Sequence, residues 1–287
     1  MAYLNLKDEL ETAKGLAEKA GKEILKIFYS TKNLNIETKS DSSPVTVADK
    51  TSNEILIGGL SSRFPNYGIL SEETLDNPSR LREEFVWIID PLDGTRDFIA
   101  GQRSFTVMIG LARWGEPVLG VVHSPLERKT YSAVKSKGAY SVHNLFDNPF
   151  GDSNLYGTER KIDVSSTENI SEMRVLIART KPESEGLEQL IQMPFSGINL
   201  IGGAGYTSMI VVEGLGEVWY HRGSKCHEWD LCAPAVIVRE AGGQVTDFYG
   251  NPLVFNKEVP NLLTGILVSN GKNHEELAKM LAPLRLK

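Results

Sequence analysis

Trp87-Ile88-Ile89-Asp90-Pro91-Leu92-Asp93-Gly94-Thr95 decides the reading of this chain. The run from Phe85 to Ile89 is apolar and rich in β formers, so it reads as a buried strand, and it runs straight into acid at Asp90. Pro91 fixes φ and carries no N–H, and Asp93-Gly94 forces a tight turn, so the carboxylates of Asp90 and Asp93 converge on one point. Two carboxylates at one point want a hard divalent cation such as Mg²⁺, and the carbonyl of Leu92, held between them, is a natural third ligand. The amides of Gly94 and Thr95 would then face a bound anion, as at phosphate sites. A plain turn in which aspartate caps the following element leaves the same string, so the rest of the chain has to decide.

The flanking sequence is of one kind. Gly68-Ile69-Leu70 is a second short apolar run, ending in Ser71-Glu72-Glu73. Asp49 stands at the start of helical spacing over 48–60, and Trp229-Asp230 opens a helix after Lys225-Cys226-His227-Glu228. Leu6, Leu10, Ala13, Ala17, Ala20, Ile24 and Phe28 recur at steps of three and four, which predicts a long amphipathic first helix. The polar stretch 38–44 reads as a loop. Strands are expected over 105–111, 118–123, 129–134 and 139–142. The polar, aperiodic stretch 144–172 then suggests a boundary. Residues 1–145 would form an N-terminal α/β subdomain holding most metal ligands, and residues 146–287 a C-terminal α/β subdomain with the substrate pocket and Asp230. In the second half, strands at 175–178, 217–220 and 266–268 alternate with helices at 186–193, 204–213 and 231–240, the pattern of an α/β fold.

Charge limits the partners. Lys+Arg number 31 against 37 Asp+Glu, a net −6, which repels a phosphate backbone and excludes nucleic acid as the natural partner. A small anion remains possible where metal ions or a local basic pocket reverse the field. No apolar run reaches the roughly 18 residues of a membrane span, and the first residues lack a basic region followed by an apolar one, so a cytoplasmic protein without membrane partners is expected. Cys226 and Cys232 are six apart, which suits neither a redox motif nor zinc, so free thiols in a reducing compartment are expected, with Cys232 buried in helix packing.

The segments 68–73 and 90–95, Trp229-Asp230 with Ala233-Pro234, and Ala241-Gly242-Gly243 resemble, in order and spacing, the Mg²⁺-dependent, lithium-sensitive phosphomonoesterases of the inositol monophosphatase superfamily. The resemblance implies a layered α-β-α-β-α sandwich. It implies two or three Mg²⁺ ions held by Glu72, Asp90, the Leu92 carbonyl, Asp93 and Asp230. Glu72 with Thr95 would orient and deprotonate a metal-bound water, Asp49 would help hold a further, weaker ion or its water, and Gly94 and Thr95 would cradle the phosphate. Inhibition by Ca²⁺ and Li⁺ and a homodimer are implied as well.

Three segments, 90–100, Gly202-Gly203-Ala204-Gly205 and 228–234, are similar to the 3'(2'),5'-bisphosphate nucleotidase branch. That branch implies a small phosphorylated metabolite as substrate, the 3'-phosphate of adenosine 3',5'-bisphosphate first. An inositol monophosphatase or inositol polyphosphate 1-phosphatase, or dual activity, is the runner-up, and a phosphate-ligand sensor with a silent site is the non-enzymatic alternative. Two departures stand out. Ala178-Arg179-Thr180-Lys181-Pro182 replaces the branch's Ser-Arg-Ser or Ser-His type segment, and Thr207 stands where some members carry lysine. The substrate pocket is expected from Thr180, Gly203, Thr207 and Lys225, with Arg179, Lys181 and Arg222 as further cations for a second phosphate. A dinucleotide reading of the glycines fails, because Ser208 takes the third glycine position of G-x-G-x-x-G. Trp87 and Trp229 are expected to pack beside the ligands, and His227 to form a surface pair with Glu228 or a pocket wall.

Overall fold

α1 (Lys7–Phe28) buries Ala13, Ala17, Ala20 and Ile24 along one stripe, the face its spacing prescribes. In the computed structural model, which describes residues 5–30, 36–38, 43–143, 157–179, 186–223 and 226–284, this helix lies beside α2 (Val47–Arg63). Between them β1 (Glu37–Thr38) pairs antiparallel with β2 (Pro44–Val45), so a short ribbon flanks the expected loop, whose residues 39–42 lie outside the described ones.

The first sheet has seven strands in chain order: β3 (Gly68–Ser71), β4 (Phe85–Asp93), β5 (Thr106–Arg113), β6 (Glu116–Ser124), β7 (Lys129–Val134), β8 (Ala139–His143) and β9 (Arg160–Ile162). β3 and β4 are parallel and every later pairing is antiparallel. The short helix α3 (Thr95–Ile99) follows β4. The second sheet takes β10 (Arg174–Ala178), β11 (Gly197–Ile201), β12 (Val218–His221), β13 (Gln244–Thr246) and β14 (Ile266–Ser269) in the order β11-β10-β12-β14-β13. Its helices are α4 (Leu187–Leu190), α5 (Ala204–Val212), α6 (Glu228–Glu240) and α7 (His274–Leu281).

Three buried clusters stack these elements into layers. The first joins α1 and α2 to one face of the first sheet. The second fills the space between the two sheets around α5 and α6, and the third packs α4 and α7 on the outer face of the second sheet. The result is the expected α-β-α-β-α sandwich. β4 is continuously apolar over 85–89 because helices cover both its faces: Trp87 and Ile89 join the α1–α2 side, while Val86 and Ile88 join the α6 side. α6 lies unusually close to the first sheet. A Cβ on Gly120 would sit 2.2 Å from the carbonyl oxygen of Ala233, and one on Gly110 would sit 2.5 Å from Cys232 Sγ.

Several expectations change. β4 runs on to Asp93, with its register broken between Asp90 and Asp93, because Pro91 has no N–H to give β5. The helix expected over 186–193 shrinks to α4, which starts after Gly186 at φ 77°. β9 joins the first sheet from beyond residue 146, and residues 144–156, where that boundary was expected, lie outside the described ones. Trp87 packs against Phe64 and Tyr67, on the opposite face of β4 from Asp90, so it does not lie beside the carboxylates. Trp229 instead stacks on His227, ring centroids 4.6 Å apart, one residue from Asp230. Cys226 and Cys232 are free and buried. No helix among the described residues is long and apolar enough to cross a membrane.

Candidate active site

Three elements, β3, β4 and α6, deliver carboxylates to the end of β4. Asp90 and Asp93 come from β4 and Asp230 from the first turn of α6, and one oxygen of each lies within 4.8 Å of the others. Glu72 follows β3, where its N–H donates to the Ile89 carbonyl, extending the parallel ladder. It lines the same cleft as Asp93, Gly94 and Thr95. Asn53 of α2 holds the flanks of Glu72: it accepts from Ser71 Oγ at 2.7 Å and donates to Thr74 Oγ1 at 3.0 Å. Ser52, one residue before, donates to the Pro91 carbonyl at 2.7 Å. One helix therefore braces both acidic segments.

Local hydrogen bonds aim each group. The Leu92 N–H donates to Asp90 Oδ1 at 3.0 Å, closing the turn that replaces the lost ladder bond. Asp93 accepts from Ala204 N at 3.0 Å and Gly205 N at 2.8 Å, the first amides of α5, and Thr106 Oγ1 donates to it at 3.2 Å. A Cβ on Gly203 would sit 2.3 Å from Asp93 Oδ2, so glycine is what lets the start of α5 close on this carboxylate. These amides are spent on Asp93, which the glycine pattern did not reveal.

Asp49 and Asp230 each cap the helix that carries them. Asp49 Oδ2 accepts from Thr46 N at 2.7 Å and Thr46 Oγ1 at 2.6 Å, while its Oδ1 accepts from Thr95 Oγ1 at 2.8 Å. Asp230 Oδ2 accepts from His227 N at 2.6 Å, which makes His227 the N-cap of α6. Thr95 Oγ1 also lies 3.2 Å from the Leu92 carbonyl. Gly94 has φ 85°, and a Cβ there would meet the Ser104 carbonyl at 2.6 Å, so the turn into α3 needs glycine.

The other expected pocket residues divide. Gly203 lines the cleft, which measures about 230 Å³. Thr207 is buried, and its hydroxyl lies 3.1 and 2.8 Å from the carbonyls of Gly202 and Gly203, so it braces the turn from beneath and faces no cleft. Thr180, Lys181 and Lys225 lie outside the described residues. Arg222 follows β12, and the cations lining the cleft among the described residues are Arg96 and Arg179. Arg179 Nη1 donates to Asp97 Oδ1 at 3.1 Å, a link between the end of β10 and α3. Asp97, two residues after Thr95, was given no role from the sequence.

Burial dominates the electrostatics. It pushes Asp93 up to about 6 and Asp230 up to about 8, and raises Asp90 well above the usual carboxylate range, with Glu72 adding repulsion at all three. Asp49 is raised too, again by burial first. Oxygen donors packed this closely and this dry fit a hard divalent cation, which would replace mutual repulsion by attraction. The shifts make a prediction. Carboxylates with raised folded-state pKa values favour the metal-free protein at acid pH, and that contribution is lost as pH rises from about 4 through about 8. Saturating Mg²⁺ should therefore raise Tm by roughly 5–10 °C at pH 8.5 and by much less at pH 5.5, as thermal melts with and without EDTA would record.

The sequence model of the inositol monophosphatase family matches residues 5–285. The chain belongs to that family. Its members here include the 3'(2'),5'-bisphosphate nucleotidase CysQ of Escherichia coli K12, 32% identical over 257 residues, 88% of this chain and 96% of the relative. Inositol monophosphatase 1 of Bos taurus is 29% identical over 254 residues, 85% of this chain and 84% of the relative. Among solved structures, CysQ from Bacteroides thetaiotaomicron superposes with a TM-score of 0.76 at 27% identity, covering 94% of this chain and 100% of the other. With the family comes the enzyme class: the protein is a phosphoric monoester hydrolase.

Proposed function

We propose that the protein removes the 3'-phosphate of adenosine 3',5'-bisphosphate, or a close relative of it, with two or three Mg²⁺ ions held by Glu72, Asp90, the Leu92 carbonyl, Asp93 and Asp230. The observation that carries this reading is one cleft lined both by Glu72 and Asp93, the latter clustered with Asp90 and Asp230 where cations would bind, and by Arg96 and Arg179, so that it can attract an anion at two places. A substrate with one phosphate needs only the first. The likeness to CysQ supports the same choice.

Bound divalent cations would supply charge for the phosphoryl oxygens and lower the pKa of the attacking water. The chain's own groups do the rest. Thr95 points its hydroxyl proton at Asp49 Oδ1, which leaves its lone pairs to receive a proton from the water. Asp49, whose affinity for a proton burial raises, stands behind it as acceptor. Glu72, on the same wall, orients the water for attack in line with the ester oxygen. The amides of Gly94 and Thr95 receive the phosphate. Asp97 holds Arg179 until the second phosphate competes for its guanidinium. Two buried free thiols suit a reducing compartment, the cytoplasm first.

Removing that guanidinium tests the choice of substrate. Arg179→Ala is expected to lower kcat/KM for adenosine 3',5'-bisphosphate about 10–100-fold, mainly through KM, and to change inositol 1-phosphate less than threefold. Equal losses on both substrates would count against a second-phosphate site at Arg179. The Arg179–Asp97 pair also favours the second reading, an inositol phosphate, since a neutralised pair presents hydrogen bonds to ring hydroxyls as well as charge to a phosphate.

A further inference from the structure

Arg80 is 1% exposed, although it sits in an otherwise polar segment between β3 and β4. Its guanidinium makes four hydrogen bonds. Nε and Nη2 fork onto the two oxygens of Asp76 at 2.6 and 2.7 Å, Nη1 donates to Asn256 Oδ1 at 2.6 Å, and Nη2 also donates to the Lys257 carbonyl at 3.0 Å. Asn256 returns the contact by donating Nδ2 to the Arg80 carbonyl at 3.2 Å. The loop so gripped donates in turn to a completely buried carboxylate: Asn256 N to Glu228 Oε2 at 2.5 Å and Lys257 N to Glu228 Oε1 at 3.0 Å. Glu228 is the first residue of α6, and its own N–H donates to the Pro260 carbonyl at 2.8 Å.

Asp76 lies four residues after Glu72, and Glu228 lies two residues before Asp230. The bonds therefore form a continuous link from the segment of Glu72 and Asp76 through Arg80 and residues 256–257 to Glu228, two residues before Asp230. Glu72 and Asp230 are the two expected ligands that β4 does not carry, so their placement against Asp90 and Asp93 depends on something other than that strand.

We infer that the Arg80–Asn256–Glu228 clamp is a positioning device that sets Glu72 and Asp230 against the β4 carboxylates and so tunes the affinity of the site for Mg²⁺; the inference rests on the metal-site reading above. A bidentate fork and two amides on one carboxylate are stiff, directional contacts, and groups that orient ligands from behind commonly govern metal affinity by 10–100-fold. None of the three residues need touch the substrate.

Asn256 offers the cleanest test, because its φ of 57° suits glycine. Asn256→Gly keeps the amide that reaches Glu228 and deletes both side-chain bonds to Arg80. Titration calorimetry of the full chain with Mg²⁺ alone, without substrate, should give a dissociation constant about tenfold weaker for Asn256→Gly and for Glu228→Gln. Asn256→Asp, which restores the acceptor for Arg80, should return it to within threefold of wild type. At saturating Mg²⁺ the variants should keep kcat within about threefold, and Tm in EDTA should fall by no more than a few degrees for Asn256→Gly. A purely structural role would lower Tm and leave Mg²⁺ affinity within twofold, and that result overturns the clamp alone. A wild-type chain that takes up no Mg²⁺ overturns the metal reading and the clamp with it.

Discussion

Asp90→Asn is expected to lower kcat/KM by at least about 10³, roughly 4 kcal/mol of transition-state stabilisation, while leaving the metal-free protein as stable as wild type or more so. The two halves of this prediction share one cause. Asp90 is 2% exposed and lies among Glu72, Asp93 and Asp230, whose charges all raise its pKa. Asparagine retains an oxygen at Oδ1 to accept the Leu92 N–H, so the turn survives, while one buried negative charge disappears. Without a cation that charge is a burden, and with one it would serve as a ligand. Melts should therefore show a higher Tm for Asp90→Asn in EDTA and a much smaller rise on adding Mg²⁺. A variant that loses activity and also melts lower in EDTA would mean that Asp90 holds the fold together, contrary to the account.

Gly120→Ala adds one methyl group at the centre of β6 and should cost about 3 kcal/mol, a fall in Tm of roughly 6–12 °C. The new Cβ would stand 2.2 Å from the Ala233 carbonyl oxygen and 3.0 Å from its carbonyl carbon and Cα, so backbone has to move rather than a side chain rotate. α6 moves as a unit, and Asp230 sits on its first turn. The same variant should therefore need more Mg²⁺ for half-maximal activity, although residue 120 lies outside the cleft lining. A Tm within 2 °C of wild type would show that the helix does not rest on the sheet at this point.

How much of this could be read beforehand depended on whether a residue's partners were near it in sequence. β4 was legible because both its faces are buried and its acids follow without a break. α1 was legible because its stripe repeats over six turns. β9 and β13, of three residues each, and β11, part-exposed at the sheet edge, have no pattern long enough to register. The face of Trp87 was legible and was missed: counting by twos from Asp90 gives Ile88 and Val86, which leaves Trp87 on the other side. Thr207 likewise sits four residues after Gly203 on a helix, where threonine commonly turns its hydroxyl back to a carbonyl.

Arg80 could not have been found, because its partners Asn256 and Lys257 are 176 and 177 residues away. The double duty of Asp49 and Asp230 was half legible. The cap reading and the site reading both hold for Asp49, since one oxygen serves the helix and the other serves Thr95. For Asp230, the cap bond from His227 and the shared point with Asp90 and Asp93 coexist in the same way.

The central claim is that the cleft selects a substrate with two phosphates and hydrolyses one of them. Its most direct test is phosphate release in Mg²⁺ from adenosine 3',5'-bisphosphate, AMP, inositol 1-phosphate, inositol 1,4-bisphosphate and fructose 1,6-bisphosphate, compared by kcat/KM. The account predicts that adenosine 3',5'-bisphosphate leads by about tenfold or more, equivalent to roughly 1.4 kcal/mol of preference in the transition state. Inositol 1-phosphate in the lead would contradict it, since one phosphate would then suffice and Arg179 would have no second anion to meet.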